Sequence, residues 1–439
     1  MLPTISIKPP QNPTRKNSAA SRGGFWSLIA TQFQGAFSDN ALKNLVILLI
    51  LDAGLSAASK NRLVPAVLLL FSLPFILFSM AGGFLADRFS KRSATIGTKL
   101  LEVCIALLAL AGLWTANLPM ELAAIFLFST QAALFGPAKY GLLPELLPER
   151  DLSWGNGVLE LGTFLAILTG TTAAGYLAGV FQGRQQWSGA LLIALALIGL
   201  ACSLGITRVP VADPSRRFQF NFLADLGRAI SLMRQDRLLW QAVMGNTFFW
   251  FLGGLLQPVV ILYGKETLRL SDSHNTWLQA ALAVGIGAGS LAAGYLSAGE
   301  IEYALVPLGA IGMAAADVWL GLGAPIFAHV LTRLLLLGFF AGIFSVPILA
   351  MVQHRPDIHQ RGRILAATNL LSFVGIFIAG GAYYLLIGVL GLSSSRVFVL
   401  VGAMALSTAV YALAFVADCW HRMGAWLGRV IHRQGPSVR

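Results

Sequence analysis

The chain has 439 residues, 56% of them hydrophobic and 11% charged. A soluble domain carries roughly 25% charged residues, so this composition excludes an ordinary soluble enzyme or binding module and points to a polytopic membrane protein. The net charge of +12 would suit a nucleic-acid binder, but the placement of the basic residues explains it without one.

Residues 1–24 are rich in Pro, Ser, Asn and Arg and read as a disordered basic arm, with no signal-peptide apolar core. A membrane-crossing helix needs about 20 mostly apolar residues. Twelve stretches meet that need: 25–51, 64–86, 93–115, 119–143, 153–181, 187–207, 238–263, 277–298, 303–323, 325–351, 364–390 and 396–418. Most connections are short. The exception is 208–237, RVPVADPSRRFQFNFLADLGRAISLMRQDR, which is polar, basic and partly amphipathic. It divides the chain into a six-helix half over 25–207 and another over 238–418. A short basic tail, 419–439, follows; its WHRMGAWLGRVIHRQ stretch is expected to lie on an anionic leaflet. The expected fold class is an all-α membrane protein, with twelve transmembrane helices in two pseudo-symmetric bundles. Pro137 and Pro347 lie 210 residues apart, as do Gly170 and Gly380, which favours duplicated halves. Cys104, Cys202 and Cys419 lie far apart and show neither metal spacing nor a disulfide framework.

With the N-terminus cytoplasmic, 21 Lys and Arg fall in inside segments and 6 in outside ones. The remaining four, Lys43, Lys99, Lys139 and Arg333, lie within spans. This asymmetry places both termini in the cytoplasm. The high net charge is thus a topology signal, and no nucleic-acid partner is expected.

The stretch FQGAFSDNALKN, Phe33 to Asn44, interrupts an otherwise oily first span with Asp39, Asn40, Lys43 and Asn44. Ionisable residues inside a span are costly and are functional candidates that face the bundle interior. Asp39 and Lys43 are spaced i, i+4, so mutual neutralisation on one helix face is the plain structural alternative. Lys99 and Glu102, i, i+3 in the third span, are read as a snorkelling local pair. Further polar residues gather in the same half: Gln131, Lys139 and Tyr140 in the fourth span, Asn156 and Glu160 in the fifth. Three helices sharing this habit point to a polar cavity that includes Asp39. The second half carries few charges within spans, Asp317 and Arg333. Its seventh span, NTFFWFLGGLLQPVVILYG, is aromatic and apolar, with Phe248, Trp250 and a single Gln257. A cavity polar on one wall and oily on the other suits an amphiphile with a charged head and a hydrocarbon tail. Phe248 and Trp250 are then the expected tail contacts.

GGFLADRFSKR, residues 82–92, resembles the signature loop of the major facilitator superfamily. Gly83, Asp87, Arg88, Lys91 and Arg92 are in place, and Ser90 replaces the usual second glycine. Gly83 permits close helix contact, and Asp87 can pair with a cation or a helix N-terminus to hold one conformation closed. These five residues form the expected conformational gate. The second-half counterpart, AGYLSAGEIEYALVPLG, carries Glu300 and Glu302 where basic residues would stand.

FQGAFSDNALKN, together with FGPAKYGLLPELLPERDLSWGNGVLELGTFLA (135–166), resembles the bacterial lysophospholipid transporters of that superfamily. The resemblance covers all twelve spans and is stronger in the first half. It implies a flippase that moves lysophospholipid inward across the bacterial inner membrane. An acyltransferase and acyl-carrier-protein synthetase would then restore the second chain, and a physical contact with such an enzyme is a possible extension. It further implies head-group roles for Asp39 and Lys139, and cavity positions for Asn40, Asn156 and Glu160; Tyr140, beside Lys139, is counted with the substrate site from the polar gathering above. Classical members place an arginine in the seventh helix where Gln257 stands here. The FFWFLGGLLQ and LYGKE stretches look more like the variant fused ahead of an acyltransferase. None of the six histidines begins the His-x4-Asp pattern of such enzymes. No Ser/His/Asp constellation, metal cluster or GxxxxGK[ST] loop stands out, so neither catalytic residue, metal nor cofactor is expected. A monomer surrounded by membrane lipid is the expected state. The alternative function is a proton-coupled exporter of amphiphilic drugs or other lipids on the same fold.

Overall fold

Short polar caps cut the apolar sequence into helices. Ser56 accepts from Ser59 N, Asn117 from Met120 N, Asn221 from Ala224 N, and Asp236 from both Leu238 N and Leu239 N. Each cap satisfies amides that the first helical turn leaves without a carbonyl. Ser90 does the same for the third helix, accepting from Ser93 N, so the serine that replaces the signature glycine serves as a cap. The computed structural model describes residues 22–218, 221–297 and 300–415. The N-terminal arm before residue 22 and the tail from 416 lie outside the described residues, and with them the expected leaflet-bound tail helix.

The helices are α1 (Arg22–Asp52), α2 (Ala57–Arg88), α3 (Lys91–Thr115), α4 (Leu118–Leu146), α5 (Leu152–Val180), α6 (Gln186–Leu204), α7 (Phe222–Gln235), α8 (Arg237–Glu266), α9 (Asp272–Leu296), α10 (Leu305–Leu322), α11 (Phe327–His354), α12 (Arg361–Tyr383) and α13 (Ser394–Phe415). A single 3₁₀ turn, Glu149–Asp151, precedes α5, and α12 runs into a π-helical turn over Tyr384–Val389. Eleven described helices are long and apolar enough to cross a membrane. α1 has 31 residues and so spans about 46 Å at 1.5 Å per residue. It falls outside the eleven because the Asp39–Asn44 stretch dilutes its apolar run. With α1 counted, α1–α6 and α8–α13 make the twelve spans.

α7 is the amphipathic element of the linker. Asp225, Ala229 and Met233, spaced i, i+4, i+8, are buried, while Phe222 and Leu223 are exposed. The repeat relation holds at the level of elements. Pro137 and Pro347 sit inside α4 and α11, the fourth and tenth spans. Gly170 and Gly380 fall in α5 and α12, which follow them.

In the first bundle α1 packs on α5 and α6, and α4 on α2 and α3. In the second α11 packs on α9 and α10, α13 on α10, and α8 on α12. The bundles meet mainly through α2 against α12 and α5 against α9. The side-chain contacts between them gather at the face that carries the start of α1, the α2–α3 turn and α7, here termed the linker face. A Cβ on Gly83 would stand 2.6 Å from Ala366 Cβ and 2.7 Å from Gly362 O, so only glycine lets α2 approach α12 there. Gly157 plays the same part in α5, against the Ser290 carbonyl of α9. Asn369 donates to Ser79 Oγ at 2.8 Å, and Phe75 stacks on Phe373 at 4.1 Å between centroids.

Candidate functional site

Asp39 lies on α1 at a half-buried position, and its Oδ1 is inaccessible and without a hydrogen-bond partner. An orphaned carboxylate oxygen inside a membrane protein is expensive, which makes Asp39 a functional candidate. Asp39 forms no ion pair among the described residues. Lys43, the expected partner one turn on, donates instead to Asn40 Oδ1 at 2.8 Å and stands over the Phe71 ring at 4.3 Å. Asn40 in turn donates to Ala36 O, and Asn44 to Asn40 O and Thr171 Oγ1. The i, i+4 spacing of Asp39 and Lys43 thus does not produce a closed pair.

The charges within electrostatic reach of Asp39 are Glu102 first, then Lys99, Lys43 and Lys139. Lys139 interacts with both Asp39 and Glu160. Its ammonium lies 4.3 Å from the centroid of the Tyr140 ring, and the Tyr140 hydroxyl donates to Glu160 Oε1 at 3.3 Å. Lys139 and Glu160 are buried. So α4 and α5 bring Lys139, Tyr140 and Glu160 together, and Asp39 of α1 lies within electrostatic reach of the lysine, giving a cluster that holds both signs of charge. Pro137 and Pro144 within α4 flank the lysine, and each removes one helical amide bond from its surroundings.

Behind this cluster lies a second buried network. Lys99 donates to Glu102 Oε2 at 2.6 Å and to Gln34 Oε1 at 2.8 Å; Gln34 Nε2 donates to Glu102 Oε1 at 2.8 Å and to Ser38 Oγ at 2.9 Å. Both charges are fully buried. The local pair forms as its spacing implies, but Lys99 does not snorkel, because Gln34 on α1 and Glu102 satisfy its ammonium inside the bundle. Gln34 was legible in principle: it sits i, i+4 from Ser38 inside the same polar stretch.

Other expected site residues are placed elsewhere. Asn156 is fully buried and exchanges two hydrogen bonds with Gln353 of α11, at 2.9 and 2.7 Å. It joins the bundles near the linker face. Exchange of Asn156 for Ala should weaken that closure, and Gln353→Ala in addition should cost little more. A buried amide left without its partner carries a desolvation penalty of about 1–3 kcal/mol, whereas losing both partners is far milder. Thermal unfolding of the two single variants and the double variant reads this directly; additive losses would mean the two amides act independently. Gln257 is exposed, and among the described residues its side chain makes no hydrogen bond, while its backbone carbonyl accepts from Gln279 Nε2. Phe248 and Trp250 do not form one wall. Phe248 lines a separate apolar cavity within the second bundle, while Trp250 packs edge-on against Phe249 at 5.6 Å. Asp317 is buried in α10 beside Gly402 of α13, apart from the cluster.

The gate residues divide in two. Asp87 is fully buried and accepts from Gly362 N at 2.8 Å and Arg363 N at 3.1 Å, the first amides of α12. A carboxylate there satisfies orphan donors and meets the positive end of the helix dipole. Gly83 provides the close approach that brings it there. Lys91 pairs with Glu145 of α4 at 2.5 Å, and Arg92 donates to the Ile206 and Leu204 carbonyls at the end of α6. These two brace the first bundle internally. Arg88 is half-buried, with no ion pair among the described residues. Arg216, from the linker, bonds Asp87, Gly83 O and Asp225 of α7, and Arg363 also reaches Asp225 at 3.0 Å. The linker backbone joins in through Asp213 N to Asp87 O at 2.8 Å and through a bridge from Ser90 to Val211. Sequence spacing gave no signal for Arg216, which stands 129 residues from Asp87.

Twelve spanning helices in two repeated bundles, a mixed-charge cluster within one bundle and a carboxylate clasp between them define a membrane transporter. The family model of the Major Facilitator Superfamily matches residues 20–380. The lysophospholipid transporter LplT of Cronobacter sakazakii is 29% identical over 419 residues, covering 94% of this chain and 98% of its own. That of Klebsiella pneumoniae is 31% identical over 391 residues, covering 83% and 89%. Among solved structures, the human organic anion transporter MFSD10 superposes with a TM-score of 0.75 at 15% identity, covering 89% of this chain and 99% of its own. The proton:xylose symporter XylE does so with a TM-score of 0.69 at 16% identity, covering 90% and 96%. The chain belongs to the Major Facilitator Superfamily.

Proposed function

We propose that the protein carries lysophospholipid across the bacterial inner membrane by alternating access, with both termini cytoplasmic. The observation that carries this reading is the Asp39–Lys139–Tyr140–Glu160 cluster. An ammonium can meet a phosphate and a carboxylate can meet an ammonium head group, so a cluster of both signs complements a zwitterionic lipid. The names of the LplT relatives support the same substrate class. The segments 25–207 and 238–418 are the two moving units, and 208–237 is their hinge and clasp. The linker face is then cytoplasmic, and the state described is closed towards the cytoplasm. Delivered lysolipid would be a substrate for an acyltransferase in the inner leaflet, and the transporter would act as a monomer.

Reconstitution into phosphatidylethanolamine vesicles tests the reading. Fluorescent lysophosphatidylethanolamine added outside should become protected from a membrane-impermeant quencher at a rate that rises with protein content. Lys139→Ala and Glu160→Gln should each slow it at least tenfold, about 1.4 kcal/mol of barrier. Absence of protein-dependent flipping, together with dye efflux that collapses with the proton gradient, would replace this reading by a proton-coupled exporter.

A further inference from the structure

The second bundle holds an apolar cavity of about 490 Å³, remote from the polar cluster, none of whose residues line it. It lies between the linker-face ends of α8, α10, α11 and α13. Leu238, Val306, Met351 and Ala412 mark the end near that face, and Phe248 and Phe344 mark its depth. Leu238 and Phe248 are ten helical residues apart, roughly 15 Å at 1.5 Å per residue. The hydrocarbon core of a bilayer is about 30 Å thick. The cavity is therefore about half that thickness in length, the depth of a single leaflet. Its volume lies within the range of about 300–1,000 Å³ typical of small-molecule sites. Met244 and Tyr411 beside it are 43% and 49% exposed, so it is bordered by the outer surface of the bundle.

Charge sits at the shallow end. Arg234 of α7 stands over the ring of Trp240, a lining residue, at 5.1 Å. Arg355 interacts with Tyr303, another lining residue, and pairs with Asp236 at 2.7 Å. An apolar slot one leaflet deep, with guanidinium groups at its surface end, has the chemistry of a lipid with one chain in the slot and an anionic head at the rim.

We propose that this cavity is a binding site for an anionic phospholipid of the linker-face leaflet, whose acyl chain lies between α8, α10, α11 and α13. Its chain would fill space that the helices themselves leave open between α8 and α10. Because α8 also packs on α12, the occupant would brace the second bundle against the moving interface. The site is distinct from the one proposed for the transported molecule, and it stands or falls independently of that reading.

The test uses the full chain in nanodiscs of phosphatidylethanolamine and phosphatidylglycerol, with a trace of phosphatidylglycerol carrying a diazirine at the end of one chain. After photolysis, peptide mapping should place adducts preferentially on 238–248, 344–351 and 407–412. Gly245→Leu adds bulk to the cavity wall at a position where a Cβ would stand 3.3 Å from Ile348 Cδ1, a tight contact that this side-chain end must relieve by a few tenths of an ångström. It should lower those adducts at least fivefold while leaving labelling of other lipid-facing peptides unchanged, which also shows that the variant is folded. Arg234→Glu, at an exposed position, should reduce labelling by phosphatidylglycerol more than by a matched phosphatidylethanolamine probe. Adducts spread evenly over the lipid-facing helices, or cavity adducts that persist at full yield in Gly245→Leu, would overturn the proposal. So would cavity adducts indifferent to both head group and Arg234→Glu, since the anionic-lipid assignment would then have no support.

Discussion

Asp39→Asn should reduce lysophospholipid flipping at least tenfold while the protein remains folded. Asparagine keeps the volume and one acceptor oxygen but removes the anion, so Lys139 loses one of the two carboxylates with which it interacts. The decisive comparison is the double variant Asp39→Asn with Lys43→Met. If Asp39 merely balanced Lys43, removing both charges would restore transport. The geometry argues against that, because Lys43 is already held by Asn40 Oδ1 and the Phe71 ring. The double variant should therefore stay inactive in the vesicle assay, with Lys43→Met alone retaining most of the rate. A rescued double variant would return Asp39 to the role of local counter-ion and remove it from the substrate site. Thermal unfolding in detergent separates a transport defect from collapse of the fold.

The second large effect is expected at the clasp. Asp87→Ala removes the acceptor for two α12 amides and for Arg216 at once. A loss of about 3 kcal/mol from the closed state moves the equilibrium between states by roughly two orders of magnitude. Turnover should fall at least tenfold, while affinity for lysolipid should stay within about threefold, because no clasp residue belongs to the polar cluster. Arg216→Ala should act in the same direction, which would not be expected if 208–237 were a passive tether. Distances between spin labels at the linker-face ends of α2 and α12 would read the shift. A collapse of binding with unchanged distances would contradict the latch assignment for Asp87, and a silent Arg216→Ala would return the linker to a tether.

Much of this organisation was legible before any coordinates. Runs of apolar residues gave the twelve spans, since a bilayer leaves the backbone few alternatives to helix. The gathering of Lys139, Tyr140 and Glu160 on neighbouring segments pointed to a common polar site, and these three side chains do lie together. Gly83 and Asp87 were readable because they match the signature loop of the superfamily at its spacing. Lys91 and Arg92 belong to the same motif, yet they brace α4 and α6 within the first bundle. Which of several basic residues in a turn faces a neighbouring bundle depends on the rotation of α3, which spacing alone does not specify.

The sequence by itself determined the membrane class, the count of the spans, the division into halves and the polar character of the first half. These follow from one-dimensional quantities: hydropathy over about twenty residues, charge between spans, and helical spacing. Only the tertiary structure decided partnership. Lys43 turned to Asn40 in place of Asp39, Lys99 was taken up by Gln34, Asn156 by Gln353 and Asp87 by Arg216. The aromatics of α8 were divided in the same way, with Phe248 on a lateral cavity and Trp250 against Phe249. The physical reason is that a buried polar side chain takes whichever donor or acceptor the packed helices present within about 3 Å. In a bundle that neighbour is set by helix rotation and crossing, which depend on contacts distant in sequence.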